Sequence, residues 1–283
     1  MIPISTNTKE ESYSYLFSLD NQIKIHQVND EKQWMLTMPK NIAMNSMMLR
    51  NMSNYEISNP NVLWPTEVIY ENHEFVGFKT SSLAYVQPLR PLLASLENQA
   101  ILNEDEKARR IALGLQIAKC WQAILNSNYF LLGQITNTTF YVDQQDHVFL
   151  MEAYRFALNT SSNYSYYRTP EQIMRPSLVA NQQSDAYLFA LLLFQVLTND
   201  FPYECEVALS KADYELIFDR MVDGESIFNQ DNQKAKDLKS VLKSYGNDIY
   251  NAFYHCFDVY GKTDYTQGRL SIQEWIEILT NYK

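Results

Sequence analysis

The stretch RTPEQIMRPSLVANQQSDAYLFALLLFQVLTNDFPYE, residues 168–204, contains the most informative run in the chain. From Asp185 it reads as a helix over 185–198 that is apolar on every side, and a helix without a polar face belongs at the centre of a large lobe. Its strongly apolar part, 187–197, is about half the length that crosses a bilayer. It therefore reads as a core element, and no membrane partner is expected. Downstream the pattern stays helical, with segments expected near 207–221, 234–243, 247–257 and 270–282.

Working back towards the N-terminus, two short strands at 140–142 and 148–151 are joined by DQQD in a hairpin pattern. Before them a long helix opens at Asn103, whose side chain can cap it, with Glu106 in the position of a capping-box acid. It runs to about residue 126, and Ile111, Leu115, Ala118, Trp121, Ile124 and Leu125 fall mostly three or four apart, giving one buried stripe. PLRPLLASL (88–96) is a shorter helix candidate. The first third reads as strands at 12–19 and 22–28 around an Asp20-Asn21 turn, a Met-rich helix at 41–52, and strands at 67–70 and 75–79. The expectation is an α+β chain with a small β-rich lobe over 1–80 and a larger helical lobe over 81–283.

At 283 residues the chain can bury a sizeable core without disulfides or metals. A net charge of -10 opposes binding to a phosphate backbone, so nucleic acid is not expected as a partner. Cys120, Cys205 and Cys256 are an odd number at wide spacing, which fits reduced thiols, and the N-terminus has no basic segment followed by an apolar one. These features lead to an expectation of a cytoplasmic protein. His26, His73, His147 and His255 have no zinc-ligand spacing, and no nucleophile elbow is present.

The same run resembles the protein-kinase stretch from the A-P-E motif, here Thr169-Pro170-Glu171, through the Asp-initiated buried helix at Asp185 to the turn that follows it. GRLSIQEWIEIL (268–279) resembles the closing segment of a bacterial protein-kinase-like family, as do Trp64-Pro65 and FVGF (75–78) in the small lobe. The resemblance runs from about Ser12 to Leu279 with its parts in order. It implies a bilobal kinase-like fold, forming one domain, in which Glu171 and Arg269 form an ion pair and Asp185 ties down the catalytic loop.

Phosphoryl transfer needs a glycine-rich phosphate loop, a strand lysine held by a helix glutamate, a catalytic aspartate, and an Asn and an Asp for magnesium. Residues 1–30 contain no glycine, and 41–52 contain no acid. Lys24 falls at the position the resemblance gives the strand lysine, though an exposed strand lysine would read the same way. The catalytic loop resembles LLGQITNTTFYV (131–142), which puts Gln134 in place of the catalytic Asp and Thr139 in place of the Asn. A glutamine cannot take a proton as a carboxylate does. Glu152 stands where the D-F-G aspartate belongs and reads either as a cation ligand or as a strand-end carboxylate bonded to its neighbours.

Architectural groups thus persist where chemical groups are missing. The resemblance implies a regulatory pseudokinase scaffold that binds another protein and has no catalytic residue, cofactor or metal. The alternatives are a cleft that holds ATP without turnover, and an atypical nucleotide-dependent transferase using Lys24 and Glu152. The tyrosines of NYSYYR (163–168) read as a partner anchor or as packing of the segment onto the lobe.

Overall fold

Alternating and doubly apolar runs in the first ninety residues build a five-stranded antiparallel sheet; the computed structural model describes residues 4–6, 9–11, 13–19, 23–28, 33–37, 46–83, 86–89, 102–136, 138–154, 167–176, 178–203, 211–257 and 269–282. Of the expected helix at 88–96, residues 90–96 lie outside the described residues, as do 163–166 and Cys205, while Pro88 ends a strand. Two units are formed: Met1–Pro88 with Asn137–Ser162, and Leu89–Thr136 with Asn163–Lys283. This differs from a single cut after residue 80, because the hairpin expected at 140–151 belongs with the sheet.

In the first unit, β1 (Ile4–Thr6) and β2 (Lys9–Glu11) make a small hairpin of their own. The main sheet contains β3 (Tyr13–Leu19), β4 (Ile23–Val28), β5 (Gln33–Thr37), β6 (Glu67–Glu71) and β7 (Glu74–Ser81) in the order β3-β4-β5-β7-β6. α1 (Ser46–Ser53) lies between β5 and β6 in the chain. Its Met52 carbonyl, near the helix end, accepts hydrogen bonds from Tyr55 N at 2.9 Å and from Trp64 Nε1 at 2.7 Å.

β8 (Gln87–Pro88), β9 (Phe140–Val142) and β10 (Val148–Leu150) form a three-stranded sheet in the order β10-β9-β8. Leu63 N donates to Leu150 O at 2.8 Å and Leu150 N to Asn61 O at 2.9 Å, which ties the β9–β10 hairpin to this unit.

β5 was not anticipated from the sequence. Trp34, Met35 and Leu36 are all buried, so the strand lies under cover on both faces and loses the two-residue alternation that marks a half-exposed strand. Its close neighbour is Gly77 on β7. A Cβ there would sit 1.9 Å from the Leu36 carbonyl oxygen, a backbone atom that cannot turn aside. Gly77→Val is therefore expected to break the β5–β7 pairing and cost about 3 kcal/mol, read as a lower urea midpoint. An unchanged midpoint would contradict this packing.

The second unit is helical: α2 (Glu104–Leu125), α3 (Pro170–Met174), α4 (Gln182–Thr198), α5 (Lys211–Asp223), α6 (Gln233–Ser244), α7 (Asn247–Phe257) and α8 (Ile272–Thr280). Every residue of α4 from Ser184 to Leu197 is buried, as its all-round apolar composition requires. α2 packs on α4 and α8, and α7 closes on α4. Aromatic rings knit the centre: Trp121 on Phe189 at 5.8 Å and Phe194 on Phe253 at 5.4 Å edge to face, and Phe253 on Trp275 at 4.8 Å with the planes tilted.

Two cap assignments change. α4 begins at Gln182, three residues before Asp185, and its N-cap is Asn181 in a capping box with Ser184. Asn103 caps α2 by accepting from Glu106 N at 2.8 Å, but the Glu106 carboxylate bonds Arg110 Nε at 2.8 Å. That is an i, i+4 pair whose Arg110 side chain is buried.

Candidate functional site

The two faces of the main sheet decide which residues can meet. Register places Tyr15, His26, Met35, Lys79 and Glu67 in one row across it, and Ile25, Leu36 and Phe78 in the next row, on the opposite face. Lys24 shares the face of His26 and is exposed. Tyr154 packs on the other face, its ring 5.1 Å from that of Phe78. Glu152 lies two residues before Tyr154 in the segment that packs on Phe78. Lys24 also sits on the second strand of the sheet. The strand that leads into α1 is β5, and it contains no lysine.

The lysine that sequence reasoning passed over is Lys79. It is buried on β7 and pairs with Glu67 Oε2 at 2.9 Å from the adjacent strand β6. The cross-strand register Glu67↔Lys79 accounts for the contact. On the same face, burial and then the nearby Lys24 charge lower the pKa of His26, whose Nε2 lies 2.9 Å from Thr37 Oγ1.

Glu152 is assembled by the β9–β10 hairpin. Register sets Phe140 opposite Leu150, so the residues just outside each strand also meet, and Met151 N donates to Thr139 O at 2.9 Å. One residue further on, Glu152 is wholly buried, with Thr138 Oγ1 donating to Oε1 at 2.9 Å and Thr139 Oγ1 to Oε2 at 3.2 Å. Thr139 and Glu152 thus bond each other. The chemistry of this pair is a hydroxyl donating to a carboxylate. Among the described residues no group of three His, Cys, Asp or Glu side chains could hold a metal ion.

The second unit contains the remaining positions. The Asp185 carboxylate is fully buried and accepts three N–H bonds, from Trp121 Nε1 at 2.9 Å, Leu132 N at 2.8 Å and Gly133 N at 2.7 Å. Burial pushes its pKa up, while the bonds from Trp121, Leu132 and Gly133 pull it down. Gly133 has φ +65°, a backbone state in which L side chains are strained. In that loop Gln134 is half-buried, and its N–H donates to Leu132 O at 2.7 Å.

Thr169 is the N-cap of α3, in a capping box with Gln172, and Pro170 occupies the first turn, where its missing N–H costs nothing. This turns Glu171 towards Arg269, whose Nη1 and Nη2 donate to its two oxygens at 2.6 and 2.9 Å. Arg269 Nη1 also reaches Gln183 O at 3.3 Å, and the guanidinium lies over the Tyr187 ring at 4.6 Å. Burial disfavours the Arg269 charge, but its bonds to the Glu171 carboxylate and that group's charge outweigh it, and its pKa is raised. Around this pair Tyr187 bonds Tyr203 through their hydroxyls, and burial pushes the Cys256 thiol up to about 12. Tyr167, from the tyrosine-rich segment, is buried and donates to Gln195 Oε1, so at this residue the packing reading holds.

No protein-family model matches the chain, and no curated protein matches its sequence. Among the described residues no helix is long and apolar enough to cross a membrane.

Proposed function

We propose that this chain is a pseudokinase of bilobal kinase-like fold that works in the cytosol by binding another protein and transfers no phosphate. The observation that carries the reading is the Thr139–Glu152 pair. These are the counterparts of the two magnesium ligands in the family resemblance, and here the Thr139 hydroxyl donates to the Glu152 carboxylate. A kinase holds its ATP lysine on the third strand, ahead of the helix that supplies its glutamate. The third strand of this sheet, β5, has no lysine, and α1 has no acid.

Support for the architectural half comes from the second unit. Asp185 grips the backbone at Leu132-Gly133, the loop the resemblance equates with the catalytic loop, and Glu171 pairs with Arg269. A chain that keeps its bracing groups and lacks its chemical ones is suited to presenting a shape. The transferase alternative would need Lys24, an exposed residue of β4, and Glu152, which is wholly buried, to act on one substrate.

The test is thermal unfolding of the full chain with ATP, ADP and GTP, each with and without magnesium or manganese, followed by a search for protein partners by affinity capture. A ligand at a hundred times its Kd stabilises the folded state by about 2.7 kcal/mol, which for a chain of this size raises Tm by about 5 °C or more. No metal-dependent rise is expected. A rise that needs the metal and disappears in Glu152→Ala would overturn the proposal.

A further inference from the structure

We propose that one flank of α6 and the outer side of α7 form a docking surface for an acidic protein segment that carries an apolar anchor residue. The inference deepens the protein-binding reading given above and rests on it. In a chain with 33 acidic and 23 basic residues, α6 runs against the balance, with four lysines and one acid. Ala235, Leu238 and Leu242 form its buried stripe, and Lys236, Lys239 and Lys243 follow one another along one flank of that stripe. Lys234, on the other flank, pairs with Asp200 at 3.1 Å, and Lys236 pairs with Asp231 at 3.2 Å. Lys239 and Lys243 pair with no carboxylate among the described residues. Lys239 Nζ donates to the Gln230 carbonyl at 2.7 Å, and Lys243 Nζ lies 4.9 Å from the centre of the Tyr250 ring. These contacts hold each ammonium group in place and leave its charge uncompensated.

Beside the two charges lies an aromatic cluster. Phe228, in the turn Ile227–Asn229, meets Tyr250 at 5.6 Å and Tyr254 at 5.7 Å, both edge to face. Tyr250 and Tyr254 stand one turn apart on α7, off its buried stripe of Ile249, Ala252 and Cys256. Phe228 and Tyr250 are half-buried, and Tyr254 is 36% exposed. Rings braced against one another at a surface give an anchor side chain the rigid apolar contact on which interface hot spots are built. Charge decides the occupant: two uncompensated ammonium groups beside the rings complement Asp or Glu next to an apolar residue. A nucleic acid also combines negative charge with flat rings, but a net charge of -10 repels a polyanion along its length. A short acidic segment interacts mainly with charges within about 10 Å of it.

Random-peptide display on the immobilised full chain reads this preference directly. The expected result is enrichment, over a blank surface, of peptides that join Asp or Glu to Phe, Trp or Leu. A synthetic peptide from the enriched set should bind the full chain in fluorescence anisotropy, and more weakly as salt rises. Lys243→Glu combined with Lys239→Gln, which keeps a donor for the Gln230 carbonyl, is expected to weaken that binding by at least about tenfold. Lys243→Glu alone changes an exposed side chain and should act in the same direction at an unchanged melting temperature. Tyr254→Ser should weaken binding while leaving its salt dependence as it was. No enrichment, enrichment of basic or uncharged peptides, or an affinity that survives the lysine variants overturns the proposal. So does a single-stranded oligonucleotide that binds at these residues more tightly than the peptide. Nucleotide binding is read separately: a metal-dependent rise in Tm would overturn the pseudokinase reading without altering the peptide result.

Discussion

Asp185→Ala is expected to lower the stability of the protein by about 4 kcal/mol. Three N–H groups converge on this carboxylate in a region without water access, and removing it strands all of them. A buried donor left without an acceptor costs about 1–3 kcal/mol, and relaxation of the 132–133 loop returns part of the sum. Asp185→Asn keeps one acceptor oxygen but turns an NH2 towards donors, so about 2–3 kcal/mol is expected of it. Urea unfolding followed by tryptophan fluorescence measures both, since Trp121 is itself a donor to Asp185. A loss under about 1 kcal/mol for Asp185→Ala would mean that the three bonds contribute nothing net. The variant also bears on function, because the loop at Gly133 would lose the group that fixes its backbone.

Asp185 also marks how far the sequence could be read. Its partnership with the 131–142 segment was expected from the family resemblance, but the helix start was misplaced. Asn181, Gln182 and Gln183 show no apolar periodicity, so the helical pattern becomes visible only at the apolar run, although Asn181 and Ser184 stand at capping-box spacing. α2 was legible almost to the residue, because Asn103 stops it sharply and its apolar stripe is regular. β5 was invisible because burial on both faces erased its alternation, and missing it moved the expected lysine position back one strand to Lys24. Thr139 and Glu152 were singled out separately from the resemblance. That they would bond each other depends on the hairpin register, which Phe140↔Leu150 sets and which no local pattern states. Lys79 could have been found by pairing strands on paper: once 67–71 and 74–81 are antiparallel neighbours, an acid and a lysine face each other.

For the Glu171–Arg269 pair the informative quantity is the difference between breaking it and replacing it. The side chains are 15% and 4% exposed, so the pair is nearly dry. Removing one partner of such a pair strands a charge and typically costs about 3–5 kcal/mol, whereas exchanging both for apolar groups is often close to neutral. Arg269→Leu alone should therefore cost about 4 kcal/mol, because Glu171 keeps its charge and the Gln183 carbonyl loses a donor. Glu171→Met with Arg269→Leu should cost less than Arg269→Leu by itself, on the order of 1–2 kcal/mol in total. The remaining cost reflects the Gln183 bond and the lost cation over the Tyr187 ring. Chemical denaturation of the two single variants and the double variant gives the coupling energy directly. If the double variant lost as much as the sum of the singles, the pair would be acting as two independent side chains, and its place as the brace between α3 and the segment before α8 would have to be given up.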